Sequence, residues 1–128
     1  MNTEQKSQLI TFWRTNFGFR NHEIEAFSSV KREDFVAENM KHSAYEDIPL
    51  PLLRGKTISQ PSTVMIMTWA LELQSGERVF EIGTGSGYQS AILSRIVGSK
   101  GRVVTTEVIP ELVLFARQNL KKSGIENV

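Results

Sequence analysis

Residues 81–90 read "EIGTGSGYQS" and follow "RVF" at residues 78–80, so an apolar run feeds directly into three glycines at alternate positions, Gly83, Gly85 and Gly87. "RVFEIG" has the composition of a strand, and "YQSAILSRIV" behind the glycines has helical spacing and closes at Gly98. A strand that runs through glycines into a helix sets backbone N–H groups and the positive helix end beside a ligand, and glycine lets the backbone approach that ligand closely.

Many nucleotide sites share that geometry, so the spacing has to discriminate among them. The dinucleotide fingerprint G-x-G-x-x-G fails, because counting from Gly83 and Gly85 its third glycine falls on Tyr88. A phosphate loop fails as well, since no Gly-Lys-Ser/Thr follows. What remains is acidic-x-Gly-x-Gly-x-Gly, with Glu81 two residues before Gly83. A carboxylate at a buried strand end is costly without a cationic or hydrogen-bonding partner, and a cationic ligand group would serve. Glu107 lies twenty residues beyond Gly87, at the end of the next strand, where an acidic side chain can receive both hydroxyls of a ribose. Two carboxylates around a glycine turn that carries no lysine or arginine suit a positively charged nucleoside, and S-adenosylmethionine fits that description.

The flanking sequence supplies a framework for this turn. Before it, Pro61 suits a first helical position and opens a helix to Leu73, with Ser59 or Gln60 as its cap. After it, "RVVTTEV" (102–108) reads as a second strand, and Pro110 opens a helix that Gly124 closes. Strands alternating with helices in this way predict a parallel sheet with right-handed crossovers. Further upstream, a helix is expected over Thr3–Asn16, and another from Asn21 as cap, with Lys31–Met40 adding a turn or two. "IPLPLL" (48–53) is expected to be an extended, irregular connection, because Pro49 and Pro51 exclude helix interior.

Composition sets further bounds. The chain has 128 residues, 40% of them hydrophobic, no cysteine and a formal charge of +1 from fifteen basic and fourteen acidic residues. No basic stripe of the kind that grips a nucleic-acid backbone is present, so nucleic acid is not expected as a partner. Disulfides and thiolate zinc sites are excluded by the lack of cysteine. Met1–Gln8 is polar and the apolar runs are short, which predicts a soluble, cytoplasmic protein without a membrane partner. His22 and His42 have no ligand-spaced neighbours, so no metal is expected. Trp13, Trp69, Met65 and Met67 read as packing residues, and Tyr88 as either packing or a cofactor contact. Glu46 and Asp47 are adjacent in an extended segment and point apart, which suits a loop role and not a catalytic dyad.

Beyond these patterns, the sequence from Val30 to Val128 resembles the N-terminal half of the protein-L-isoaspartate O-methyltransferases, which begin the repair of isoaspartyl damage. The resemblance rests on "YEDIPLP" (45–51) and "TISQPSTV" (57–64), with the glycine motif and "RVVTTEVIPELVLFARQNLKKSGIENV" (102–128) in support. It implies transfer of a methyl group from S-adenosylmethionine to the α-carboxylate of an L-isoaspartyl residue, leaving S-adenosylhomocysteine. It implies that Ser59 lies at the junction of donor and substrate and that Thr57, Ile58 and Gln60 shape the same loop. Glu81, Ile82, Gly83, Thr84, Gly85, Ser86 and Gly87 would line the cofactor, with Glu107 on its ribose. Isoaspartyl proteins and peptides would be the substrates.

The implied fold is α/β, a Rossmann-like, doubly wound S-adenosylmethionine-dependent methyltransferase, here breaking off after the second strand and helix. Residues 1–57 are expected to form an N-terminal helical and extended elaboration, and 58–128 the N-terminal part of the nucleotide-binding domain. A two-stranded sheet leaves a strand edge and apolar helix faces uncovered, which predicts self-association and raises the alternative of a non-catalytic fragment. A methyltransferase acting on another substrate class is a lesser alternative, disfavoured by "TISQPS". On the residues alone, a helix cap is the alternative role for Ser59 and a solvated strand-end charge the alternative for Glu107.

Overall fold

A computed structural model of the chain describes residues 2–128; Met1, at the head of the polar N-terminal stretch, lies outside it. The helices are α1 (Asn2–Asn16), α2 (Asn21–Ser29), α3 (Pro61–Leu71), α4 (Tyr88–Val97) and α5 (Pro110–Lys122). The strands are β1 (Leu50–Pro51), β2 (Thr57–Ile58), β3 (Arg78–Ile82) and β4 (Arg102–Thr106). Short 3-10 turns at Arg32–Asp34 and Glu38–Ser43 carry the chain from α2 to β1.

The expected parallel pair is present. β3 and β4 run in register from Arg78 opposite Arg102 to Ile82 opposite Thr106, joined through α4 as a βαβ unit. Side chains alternate across a strand, so Val79, Glu81 and Val103 turn toward α4 while Phe80, Ile82 and Val104 turn away. The first set packs; the second is 59%, 83% and 50% exposed. α4 lies between the sheet and α2, and it buries residues all round its surface, Ile92 and Ser90 alike. A single apolar cluster runs through Trp13, Phe27 and Phe35 from the N-terminal segment and Ile92, Val103 and Leu112 from the later one.

Several local expectations are corrected. The 48–53 connection is not irregular throughout: Leu50 pairs with Ile58 and Pro51 with Thr57 in an antiparallel ladder, which places "TIS" against the loop that precedes it. Helix α2 is capped from Arg20, not Asn21: Arg20 N donates to Glu23 Oε1 at 2.8 Å and Arg20 Nη1 to Glu23 Oε2 at 2.8 Å, which satisfies a fully buried carboxylate. Neither Ser59 nor Gln60 caps α3 with its side chain. Asp47 does so from fifteen residues away, accepting Ser62 N at 2.9 Å and Ser62 Oγ at 2.6 Å, while Trp13 Nε1 donates to Ser62 Oγ at 2.8 Å. Helix α3 stops at Leu71 because Glu72 takes a left-handed conformation. β4 stops at Thr106, so Glu107 stands just beyond the strand. Met65 is core, whereas Met67 and Trp69 are 60% and 41% exposed.

Candidate active site

The glycine turn and the "TIS" segment meet around one cavity of about 380 Å³. β2 and its loop contribute Thr57, Ile58 and Ser59; β3 and the turn contribute Glu81, Ile82, Gly83, Thr84, Gly85 and Ser86. Gln60, Gly87 and Glu107 lie outside its lining. Gln60 supplies the carbonyl that opens α3, and Gly87 caps α4 with φ +89°, a left-handed value that favours glycine. Glu107 lines a smaller neighbouring cavity of about 240 Å³ across the turn. Sequence patterning missed the apolar wall, Met67 and Leu71 of α3, whose exposure is explained by their place at this opening.

Glu81 has the hydrogen-bonding partners that a buried carboxylate needs, and both are neutral hydroxyls. Ser90 Oγ and Thr105 Oγ1 both donate to its Oε1, at 2.5 and 2.7 Å. A hydroxyl donates once, so the 2.6 Å contact between Thr84 and Thr105 has Thr84 as donor and extends the chain to the turn. Oε2 receives no hydrogen bond among the described residues and belongs to a residue that lines the cavity. Burial raises the Glu81 pKa; the two hydroxyls oppose the shift, and the Glu107 charge adds to it.

Glu107 is held in the opposite sense. Its Oε1 accepts Gly85 N at 2.9 Å, and Oε2 accepts Val108 N and Ile109 N at 3.0 and 3.1 Å. The Gly85 N–H is the largest cause of its lowered pKa. The acid therefore spans the glycine turn and the start of α5, rather than standing as an unattached strand-end charge. Ser59 is exposed, and its carbonyl accepts Arg32 Nη2 at 2.9 Å. Tyr88 does both: its ring is buried beneath the Arg32 guanidinium, and it also lines the cavity.

An ionised acid fixed by backbone N–H groups, a second acid with one open oxygen, and a glycine at position 83 beside which an added Cβ would meet nothing within 4 Å together fit a nucleoside with a cationic group. No group of three His, Cys, Asp or Glu side chains placed to hold a metal occurs among the described residues. No helix among them is long and apolar enough to cross a membrane.

The βαβ unit and its glycine turn have the Rossmann-like fold of the S-adenosylmethionine-dependent methyltransferases. Residues 4–128 match the family model described as protein-L-isoaspartate(D-aspartate) O-methyltransferase. The chain is 46% identical over 126 residues to the protein-L-isoaspartate O-methyltransferase of Ignicoccus hospitalis, covering 98% of this chain and 60% of that protein. A solved protein-L-isoaspartate O-methyltransferase superposes on all of this chain and on 40% of its own, with TM-score 0.84 and 34% identity. A Plasmodium falciparum protein assigned to the same activity and solved in complex with S-adenosyl-L-homocysteine shares the fold, with TM-score 0.79 over 96% of this chain and 60% of its own, at 24% identity. The chain belongs to the protein-L-isoaspartate O-methyltransferase family, and it spans about half the length of the curated relatives it matches.

Proposed function

We propose that the chain carries the methyl-donor site of a protein-L-isoaspartate O-methyltransferase, working in the cytoplasm on the α-carboxylate of L-isoaspartyl residues in damaged proteins. The observation that carries this reading is the single cavity lined by Ser59 on one side and by Glu81 and the glycine turn on the other. S-Adenosylmethionine, when bound, supplies an electrophilic methyl on a positively charged sulfur, with S-adenosylhomocysteine as the leaving product.

The chain's own residues have a limited task. A substrate carboxylate with a pKa of about 3.5 to 4 is already ionised at neutral pH, so no general base is required. What is needed is alignment of the attacking oxygen and exclusion of water. Thr57, Ile58 and Ser59 form the acceptor side, with the Ser59 hydroxyl free to donate to the incoming carboxylate and Gln60 closing the segment. Glu81 favours positive charge through its open Oε2. Glu107 accepts the ribose hydroxyls with lone pairs that its backbone donors leave unused. Ile82, Thr84, Ser86 and Gly87 shape the turn between the two acids.

The deciding experiment is transfer of labelled methyl to two peptides identical except for isoaspartate in one and aspartate in the other. Label on the isoaspartyl peptide alone, lost on Glu107→Ala, supports the proposal. A folded chain that labels neither peptide and takes up no S-adenosylhomocysteine overturns it. A second reading, a non-catalytic module that associates with itself, is favoured by the exposed row Phe80, Ile82 and Val104.

A further inference from the structure

We infer that Arg32 is the positioning residue of the Ser59 segment: a buried cation that clamps the acceptor side of the cavity to the first turn of α4 and sets a fixed positive charge behind the place of an anionic acceptor. The inference rests on the function proposed above for its substrate side; the clamp stands on geometry alone.

Arg32 is fully buried, yet no carboxylate lies within ion-pair distance of it among the described residues. Its Nε donates to Ala44 O at 2.6 Å and its Nη2 to Ser59 O at 2.9 Å. Its guanidinium carbon lies 4.9 Å from the centroid of the Tyr88 ring, and Tyr88 lines the cavity from the end of the glycine turn. Its own backbone N–H donates to Tyr45 Oη at 3.0 Å. Arg32 Nη1 and Tyr88 Oη are both buried and belong to groups that lie against each other, and among the described residues neither atom meets hydrogen-bond geometry with a partner.

A neutral side chain would hold two carbonyls at a smaller desolvation cost, and a buried charge with one unused donor is among the more expensive groups a core can contain. The charge therefore has a use beyond packing. Away from bulk water its field is weakly screened, and the Ser59 carbonyl it grips belongs to the segment that would face a carboxylate. The planar fork also matters, because one group must reach Ala44, Ser59 and the Tyr88 ring at once, which an ammonium cannot do.

Three forms of the chain test this: wild type, Arg32→Lys, which keeps the charge and loses the fork, and Arg32→Gln, which loses the charge. Amide hydrogen exchange at residues 57–60 reads the clamp without any ligand. Binding of an isoaspartyl peptide against its α-carboxamide counterpart reads the charge. For a lost charge-assisted contact, exchange in the segment rises about tenfold or more in both variants, while the carboxylate preference survives in Lys and falls about tenfold in Gln. Wild-type exchange at 57–60 in a folded variant overturns the positioning role, and an unchanged preference in folded Gln overturns the electrostatic one. If Arg32→Gln does not fold, Arg32→Lys decides the clamp through exchange, and the charge role stands or falls on whether its carboxylate preference is kept. Wild type that takes S-adenosylhomocysteine but prefers neither peptide defeats the substrate assignment and with it the charge role, and leaves the clamp to be judged by exchange.

Discussion

The Glu107 carboxylate holds the Gly85 amide at 2.9 Å and, through its other oxygen, the amides of Val108 and Ile109. One side chain thus fixes the middle of the glycine turn relative to the start of α5. Replacing Glu107 by Ala removes three acceptor contacts and the proposed ribose partner together. S-Adenosylhomocysteine affinity, measured by calorimetry, is expected to fall about tenfold or more, as for loss of hydrogen bonds to a charged group. Glu107→Gln presents an NH₂ to donors and is expected to recover little of it. Wild-type affinity in Glu107→Ala would show that the acid serves the turn alone.

The two acids of the site have opposite pH signatures. Glu81 is held above its ordinary 4.5 by burial, so the fold favours its protonated form. Its contribution to stability is full below 4.5 and is lost as pH rises through the folded-state value. Glu81→Gln is therefore expected to melt higher than wild type at pH 7, on the order of a few degrees, with the gap closing near pH 4.5 and below. The same variant should bind S-adenosylmethionine more weakly, because its neutral amide no longer attracts a cation. Melting curves across pH, paired with binding at pH 7, check both halves. A variant less stable than wild type at pH 7 would mean that the hydroxyls of Ser90 and Thr105 outweigh the desolvation.

The glycines around the βαβ unit should rank by geometry. At Gly101 an added Cβ would lie 2.4 Å from Val97 Cβ and 2.7 Å from the carbonyl oxygens of Glu77 and Val97, where α4 and β3 crowd the start of β4. At Gly87 it would meet Ala116 Cβ and Leu120 Cγ at 3.4 Å under a φ of +89°, while at Gly83 only the φ of +90° opposes it. Alanine is expected to destabilise in the order 101, 87, 83, with about 1–3 kcal/mol at position 101 from overpacking and less at position 83. Urea unfolding gives the ranking directly.

What was legible in the sequence was what neighbouring residues decide. Pro61, Gly98 and Pro110 mark α3, α4 and α5 through local backbone constraints, and the glycine turn identified itself by spacing. The Asp47 cap and the Arg32 clamp join residues that are distant in sequence, where no period or cap motif carries a signal, and the short β1–β2 ladder was hidden by the prolines that punctuate it. Arg32 was further hidden because a lone arginine ordinarily reads as surface. Met67 and Leu71 follow α3 correctly as apolar positions, but helical spacing cannot distinguish a core face from a cavity wall.

Asp47 gives a direct check on that non-local cap. Its carboxylate accepts from both the amide and the hydroxyl of Ser62, and Trp13 donates to the same hydroxyl, so α1, α3 and the 44–49 loop share one network. Asp47→Ala is expected to cost about 1–2 kcal/mol, in the range of a lost helix cap. Trp13 is buried and bonded to Ser62, so its emission should report the loss before global unfolding. An unchanged midpoint in denaturant would mean that water replaces the carboxylate at no cost.

The outward face of the sheet gives the last expectation. Phe80, Ile82 and Val104 form an exposed apolar row on β3 and β4, of which Phe80 and Ile82 also border the cavity, and β3 has no ladder partner other than β4 among the described residues. β4 is better protected, because Val103 N donates outward to Asn127 O. An apolar face beside an open strand edge favours pairing with another chain. Sedimentation velocity of this chain should show concentration-dependent association. Ile82→Lys places a charge where the side chain is 83% exposed and touches little of the core, so it should disperse the assemblies while leaving the melting temperature nearly unchanged. A wild-type chain that stays monomeric at high concentration would mean that β3's free edge and this row are too twisted or too small to pair.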